Sequence, residues 1–212
     1  TLSIVFNEIV DVSTLNVTQI ALVNTNTTVS LTANDLYQLT SSSTSSSANG
    51  LAIVINLGFV DMNQIKSRTT LASNGAGGTD VFVRMLRTAV QDMQGNPVLA
   101  EAAFPVGAFV ADTTAPVITT FDLDMNALQV HISFSEAVTG LNVAGLTIPA
   151  SATTGADSVT LATSSILASN FENITVNISV TDANLLKATT TLATASSDTF
   201  LLIAAKKVSA HF

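Results

Sequence analysis

An internal repeat restricts the fold of this chain more than any other feature of the sequence. The segment Phe6-Asn7-Glu8-Ile9-Val10 recurs as Phe134-Ser135-Glu136-Ala137-Val138, and Asp61-Met62-Asn63-Gln64-Ile65-Lys66 recurs as Asp182-Ala183-Asn184-Leu185-Leu186-Lys187. The offset falls from 128 residues (134 − 6) to 121 (182 − 61), and reaches 118 (198 − 80) between Asp80 and Asp198. Because the offset drifts in small steps, as loop lengths differ between copies, we interpret the repeat as a duplicated module.

Period-two alternation of apolar and polar residues predicts antiparallel strands in both copies. One predicted inward face comprises Ile53, Ile55, Leu57 and Phe59, which match Ile174, Val176, Ile178 and Val180. We predict an all-β fold class of two tandem antiparallel β-sandwiches over residues 1–111 and 112–212. Each copy contains one short helical turn, for which Asp61 and Asp182 are the predicted N-caps.

The seam between the copies is the segment Ala111–Asn126, in which Pro116 precedes a predicted strand. No segment before Thr1 matches Pro116–Asn126, and Phe212 aligns near Gln94, so we expect the first module to lack its first strand and the second to lack its last. Two explanations stay open: the chain is a window of a longer array, or neighbouring subunits donate the missing strands. Since the sequence begins without Met or an apolar leader, we interpret it as a processed or excised piece.

Composition excludes several classes of partner. Charged residues make up only 10% of the chain, and the formal net charge is −8. An acidic chain of this kind does not neutralise nucleic acid or an anionic membrane, and no apolar run reaches the length of a membrane span. The absence of Cys excludes a disulfide framework and thiolate metal sites.

Three motifs together resemble a known repeat family. They are Thr113-Thr114-Ala115-Pro116 before a strand, the Phe-x-Glu strand ends at Phe6 and Phe134, and the closing segment Val90-Gln91-Asp92-Met93-Gln94-Gly95-Asn96-Pro97-Val98. They look like the bacterial-type Ig-like tandem repeat of large extracellular surface proteins, and the fuller pattern is similar to protist and algal arrays such as flagellar-hair (mastigoneme) proteins. The resemblance implies an extracellular structural protein at the cell surface or on a flagellar appendage.

Four acceptor sequons for N-linked glycan lie at Asn16, Asn26, Asn173 and Asn177. Asn173 and Asn177 are four residues apart on a predicted strand, so both belong to its polar face. In a sequence so rich in Asn and Thr, chance occurrence is the competing explanation. The serine-rich segment Ser41–Asn49 is predicted to be a low-complexity loop, either plain or O-glycosylated.

A calcium site at the module junction is a further prediction. Asp122 and Asp124 share one face of the seam strand, and Asp112 and Glu136 approach the same junction if modules stack end to end. Carboxylate oxygens are the ligands that Ca²⁺ prefers. The competing explanation is that these are solvated surface charges, since no Asp-x-Asp-x-Asp-Gly loop is present.

No residue set predicts an enzyme. Glu8 and Glu136 occupy equivalent repeat positions and are predicted to be structural, because an acid pair needs a second fixed carboxylate. The chain has two histidines, His131 and His211; His131 falls on the polar face of its strand and is predicted to lie on the surface, and no nucleophile elbow or phosphate-binding loop is present in the sequence.

We therefore expect a structural repeat segment of a secreted fibre or surface assembly, which requires no cofactor. Its expected partners are copies of itself, neighbouring modules and glycans, with no nucleic acid and no membrane insertion. Two alternatives stay open: the stalk of an adhesin, and accessory modules of a large secreted enzyme.

Overall fold

The chain divides into two compact units, Thr1–Thr113 and Thr114–Ala210. The computed structural model describes residues 1–26, 31–68, 70–72, 81–110, 112–152, 157–204 and, for the backbone alone, 208–210. All strand pairs in these ranges are antiparallel, and two short α-helices accompany them. The predicted all-β fold class is confirmed, whereas the two homologous modules with bounds 1–111 and 112–212 stay a prediction.

Unit 1 contains two four-stranded sheets in its described residues. One has the order β4-β5-β1-β7 and the other the order β3-β2-β6-β8. The strands are β1 (Leu2–Asp11), β2 (Ile20–Val23), β3 (Leu36–Gln38), β4 (Thr44–Ser45), β5 (Gly50–Asn56), β6 (Phe82–Met85), β7 (Gln91–Asp92) and β8 (Glu101–Pro105). Residues of both sheets form one buried core, as in a β-sandwich; they include Ile20, Leu22, Ile53, Ile55 and Met85.

Unit 2 repeats much of this arrangement. Its described sheets have the orders β14-β15-β10-β9, β13-β12-β16 and β11-β17. The strands are β9 (Ile118–Asp124), β10 (Gln129–Phe134), β11 (Val138–Leu141), β12 (Leu146–Pro149), β13 (Ser158–Thr160), β14 (Ser165–Ser169), β15 (Asn173–Asn177), β16 (Leu202–Ile203) and β17 (Val208–Ala210). Its core also draws on several sheets and includes Val130, Ile132, Leu146, Ile148 and Val176.

The strand register is the same in the two units. Ile4 lies opposite Ile53 where β1 pairs with β5, and Ile132 lies opposite Ile174 where β10 pairs with β15. These residues match under the sequence offsets of 128 and 121. Three further pairs correspond in the same way: Ile20–Met85 with Leu146–Ile203, Leu22–Tyr37 with Ile148–Val159, and Val10–Asp92 with Val138–Ala210. Since a one-residue slip would reverse the buried face, the shared register reflects the same apolar pattern.

Each unit also has one strand that finds no counterpart among the described residues of the other. β9 pairs with β10 in unit 2, and β8 pairs with β6 in unit 1. The corresponding edge of β1 is unpaired from Leu2 to Asn7 in the described part of unit 1, because β7 pairs only with Val10 and Asp11.

The two α-helices, α1 (Phe59–Lys66) and α2 (Val180–Ala188), follow β5 and β15. They begin earlier than predicted, and the predicted N-cap roles of Asp61 and Asp182 are wrong. The N-caps are Gly58 and Ser179, which places both aspartates at the third helical position. In α2 the Ser179 hydroxyl accepts a hydrogen bond from the Asp182 N–H at 3.0 Å, which satisfies one of the unpaired donors of the first turn.

The early helix start also corrects the predicted inward face. The apolar alternation is inward as far as Leu57, which packs against the unit 1 core, and Ile178, but Phe59 and Val180 are exposed. Both are the first residues of helices, where the chain no longer alternates with period two. None of the helices in the described residues is long and apolar enough to cross a membrane.

Four 3₁₀ turns complete the described secondary structure. They are Val12–Thr14, Val17–Gln19, Val143–Gly145 and Ser196–Asp198. Asn16 and Asn142, which are repeat equivalents, cap the second and third of these turns through their side-chain oxygens. The sequence also predicts a loop at Ser73–Thr79, from Gly75, Gly77 and Gly78, and this segment lies outside the described residues.

We predict that Gly58→Ala lowers the free energy of unfolding of unit 1 by about 2 kcal/mol, within the range for overpacked sites. A Cβ at this position would lie 2.1 Å from the carbonyl oxygen of Ser42, so the backbone has to move. Urea denaturation followed by tyrosine fluorescence measures the change, because the chain has a single tyrosine, Tyr37, in unit 1. Gly107→Ala is the matched control, since nothing lies within 4 Å of its added Cβ. Equal effects of the two substitutions would contradict the prediction.

Candidate functional site

Each unit buries one carboxylate at the first turn of its α-helix. Asp61 is 0% exposed and Asp182 is 1% exposed. A buried charge is costly unless several donors compensate for the lost water. Here the donors are hydroxyl and backbone N–H groups, so both carboxylates act as acceptors that join elements of the fold.

In unit 1, Asp61 accepts hydrogen bonds from four groups. They are the Tyr37 hydroxyl at 2.8 Å, the Thr40 N–H at 3.0 Å, the Thr40 hydroxyl at 2.7 Å and the Ser43 hydroxyl at 2.5 Å. Ser43 also accepts from the N–H of the N-cap residue Gly58 at 3.0 Å. The aspartate thereby connects the start of α1 to the crossover, which is the segment 39–43 that leads from β3 in one sheet to β4 in the other.

Unit 2 has the same arrangement, which we call a hydroxyl relay: a serine hydroxyl donates to the aspartate and accepts a hydrogen bond from the N–H of the N-cap residue. Asp182 accepts from the Ser164 hydroxyl at 2.6 Å and from the Thr163 N–H at 2.9 Å. Ser164 in turn accepts from the N–H of Ser179, the N-cap of α2, at 3.1 Å. The relay residues Ser43 and Ser164 are separated by the same offset of 121 residues as the two aspartates.

The pKa of each buried carboxylate reflects two opposing influences. Burial alone would raise the pKa of Asp61, but hydrogen bonds from Ser43, Thr40 and Tyr37 outweigh it, and the net pKa lies below the ordinary value of 3.8. The pKa of Asp182 is lowered in the same way: hydrogen bonds from Ser164 and Thr163 outweigh the effect of burial. The charged form is therefore the one that the fold stabilises.

Tyr37 gives the unit 1 carboxylate an additional anchor. Burial and the hydrogen bond to Asp61 both raise the pKa of the Tyr37 hydroxyl, which keeps it protonated as a donor. The Arg68 guanidinium lies 4.4 Å from the centre of the Tyr37 ring, at cation–π distance. The unit 2 equivalent of Tyr37 is Val159, so Asp182 has no matching phenol donor.

The four sequon asparagines are all exposed. Asn173 and Asn177 lie at the two ends of β15, on the outer face as predicted, and Asn173 accepts a hydrogen bond from the Ser133 hydroxyl at 2.7 Å. The Asn16 side chain accepts from the N–H and hydroxyl of Thr18 within its own sequon. Thr28, the third residue of the Asn26 sequon, lies outside the described residues. Glycan occupancy stays a prediction.

The described acidic residues give no support to the predicted calcium site. In the part of the chain that the structure describes, no three His, Asp or Glu side chains are placed to hold a metal ion. Asp112 forms a salt bridge with Lys66. Asp122 and Asp124 are exposed on one face of β9, and hydrogen bonds from the N–H groups of Ala127 and Asn126 lower the pKa of Asp124.

The remaining candidate acids and histidines occupy structural or surface positions. Glu136 is buried, whereas its repeat equivalent Glu8 is exposed, so the two are not equivalent in environment. His131 is exposed, and its Nδ1 lies 3.1 Å from the Thr175 hydroxyl. His211 lies outside the described residues.

The outer face of the β1–β5 sheet is apolar in unit 1. Val5, which is 73% exposed, pairs with Ala52, and the neighbouring outward residue Val54 is also exposed. The equivalent face of unit 2 carries Ser133, Asn173 and Thr175. Sequence reasoning assigned polar residues to both outer faces, so the apolar face of unit 1 was missed.

A groove of about 1050 Å³ runs beside the unpaired edge of β1 in unit 1. Its lining is mainly apolar. It includes Leu2, Ile4 and Phe6 of β1, Met62 and Ile65 of α1, and Phe104 with the segment 106–110 that follows β8. Its lining residues form no catalytic arrangement of acids or nucleophiles.

No protein-family model, curated protein or solved structure matches this chain.

We predict that Asp61→Asn lowers the free energy of unfolding of unit 1 at pH 7 by about 2–3 kcal/mol, because the new amide N–H₂ faces donors rather than acceptors. The folded pKa is depressed, so the wild-type contribution is present above about pH 4 and is lost as the pH falls through the folded pKa. The difference between variant and wild type should therefore shrink in acid.

Urea titrations from pH 3 to pH 7, followed by Tyr37 fluorescence, measure this difference. Glu8→Gln is the matched control, and we expect it to stay within about 0.5 kcal/mol of wild type because Glu8 is an exposed carboxylate of the same unit. A destabilisation of the Asp61 variant that is independent of pH would show that the carboxylate charge is not the stabilising group.

Proposed function

We propose that this chain is a structural repeat segment of a secreted fibre or cell-surface assembly, in which Ig-like modules stack end to end and self-associate. The observation that carries the proposal is the recurrence of one pairing scheme, residue for residue, in two successive units. Repeated modules set the length of an array through their number, and each module contributes its own core.

The hydroxyl relays support a mechanical role. Each relay joins the crossover between sheets to the helix that follows the central strand, through Ser43 and Asp61 in unit 1 and Ser164 and Asp182 in unit 2. Such buried polar connections fix one arrangement of the elements in space. A repeat that bears load in an array benefits from this rigidity.

The apolar outer face of unit 1 supports self-association. Val5 and Val54 are both exposed, although a strand face directed to water is normally polar. Exposed apolar patches of this kind mark interaction surfaces.

We expect ordered assemblies when native material is imaged by negative-stain electron microscopy. In analytical ultracentrifugation, Val54→Lys should raise the concentration for half-assembly by at least about tenfold, which corresponds to about 1.4 kcal/mol. The reason is that a charge on the apolar face must lose its water when copies meet.

Thr175→Lys is the control, because Thr175 occupies the equivalent strand position in unit 2 and its replacement by lysine adds the same charge. Dispersed monomers at every concentration, without ordered assembly in the images, would overturn the proposed function. Equal effects of the two lysine substitutions would exclude the outer face of unit 1 as the surface for self-association.

A further inference from the structure

In unit 2, β9 covers the inward residues of the neighbouring strand β10. β9 pairs with β10 from Asp124 opposite Gln129 to Ile118 opposite Phe134. Its apolar residues Ile118, Phe121 and Leu123 pack against the unit 2 core. The inward residues of β10, which are Val130, Ile132 and Phe134, are 4% exposed or less.

The matching residues of unit 1 remain half-exposed. Leu2, Ile4 and Phe6 occupy the same repeat positions and face the same partner strand in the same register. They are nevertheless only partly buried, and all three line the groove. The groove therefore lies where unit 2 has β9.

The backbone of β1 also has hydrogen-bonding capacity on this side. The Val54 N–H and C=O bond to the Ser47 and Ser45 hydroxyls, on the β4 side of β5. Because such groups alternate in direction along an antiparallel strand, Ile53 and Ile55 bond toward β1. In β1 the alternation directs the N–H and C=O groups of Ser3 and Val5 toward the groove.

Unit 2 confirms this direction for the equivalent strand. The Phe134 N–H donates to Glu172, on the β15 side, whereas the Ser135 N–H donates to Val117, on the β9 side. The odd-numbered residues of β10 thus bond toward β9. His131 and Ser133 are the counterparts of Ser3 and Val5.

We propose that the unit 1 groove binds an extended strand with the pattern of β9, supplied by another repeat of this type. The strand adds to the β1 edge by main-chain hydrogen bonds and places apolar side chains over Leu2, Ile4 and Phe6. This inference rests on the proposed function, because it names a contact through which repeats of the assembly join.

Length and chemistry both fit this occupant. β9 has seven residues and spans roughly 23 Å at about 3.3 Å per residue, and the unpaired stretch of β1 from Leu2 to Asn7 is of similar length. The exposed polar residues of β9, which include Thr119, Asp122 and Asp124, would remain in water. Of the charged residues in the groove lining, Lys66 and Asp112 already bond to each other, and Glu101 is exposed to water.

The test is binding of a synthetic peptide, residues Ala115–Asn126, to the 212-residue chain, measured by fluorescence anisotropy. We expect saturable binding that weakens by at least about tenfold when the peptide residues equivalent to Phe121 and Leu123 are both replaced by Ser, since about 1.4 kcal/mol is tenfold. Absence of saturable binding, or equal affinity of the two peptides, would overturn the proposal.

Val5→Pro locates the binding edge. Proline removes the N–H directed into the groove but none of the hydrogen bonds to β5, and edge strands tolerate it. We expect peptide affinity at least about tenfold lower for Val5→Pro, and unchanged for the control Val5→Ala, which keeps the N–H. Far-UV circular dichroism verifies that both variants are folded. Affinity unaffected by proline would exclude this edge.

Comparing the assembly and peptide-binding experiments distinguishes failure of this inference from failure of the proposed function. Ordered assemblies without peptide binding would leave the function standing and overturn the groove as the contact. Peptide binding by dispersed monomers would support the groove and overturn the assembly. If the 212-residue chain binds the peptide and native material does not, the groove is already filled in the native protein, which supports the strand as its occupant.

Discussion

The structure depends on a buried carboxylate that lies, in each unit, where the chain passes from one sheet to another. Asp61 bonds to Tyr37 at the end of one sheet, to Thr40 and Ser43 in the crossover, and through Ser43 to the start of α1. In a chain with so few charges, this ion is stabilised by hydroxyl and N–H groups and requires no cation. The crossover, the helix start and the two sheets are thereby fixed together, and the same relay recurs around Asp182.

Because the two units share the same relay and the same strand register, the features in which they differ are the ones that indicate function. Unit 2 places β9 beside β10 and buries the inward residues of that strand. Unit 1 has the same strand in the same register, but its equivalent residues border an open groove. The outer faces differ as well, because Val5 and Val54 replace the polar residues Ser133 and Thr175. An open edge and an apolar face in one unit are features of a chain that joins to others.

The sequence was sufficient for the fold class and for the repeat, because period-two alternation and recurring segments depend only on local residue order. The environment of Asp61 was not predictable in this way. Its donors lie about twenty residues away, and one of them, Ser43, belongs to a serine-rich stretch that composition identifies as a plain loop. The sequence pattern predicted that Phe59 faces the core, and this was wrong because alternation alone does not show where a strand ends and a helix begins. The groove depends on which edges are covered, a property of the assembled sheet that no residue pattern of β1 reveals.

Amide hydrogen exchange of residues in β1 and β10, measured on the dispersed 212-residue chain without added peptide, tests the central claim most directly. If the two strands share a register but differ in edge coverage, the Ile4 and Ile132 amides should both be protected, because each bonds to its central neighbour. The Val5 amide should then exchange rapidly and the Ser133 amide slowly, since only Ser133 has β9 beside it. Protection of Val5 equal to that of Ser133 would contradict the account, because it would show that the β1 edge is already paired.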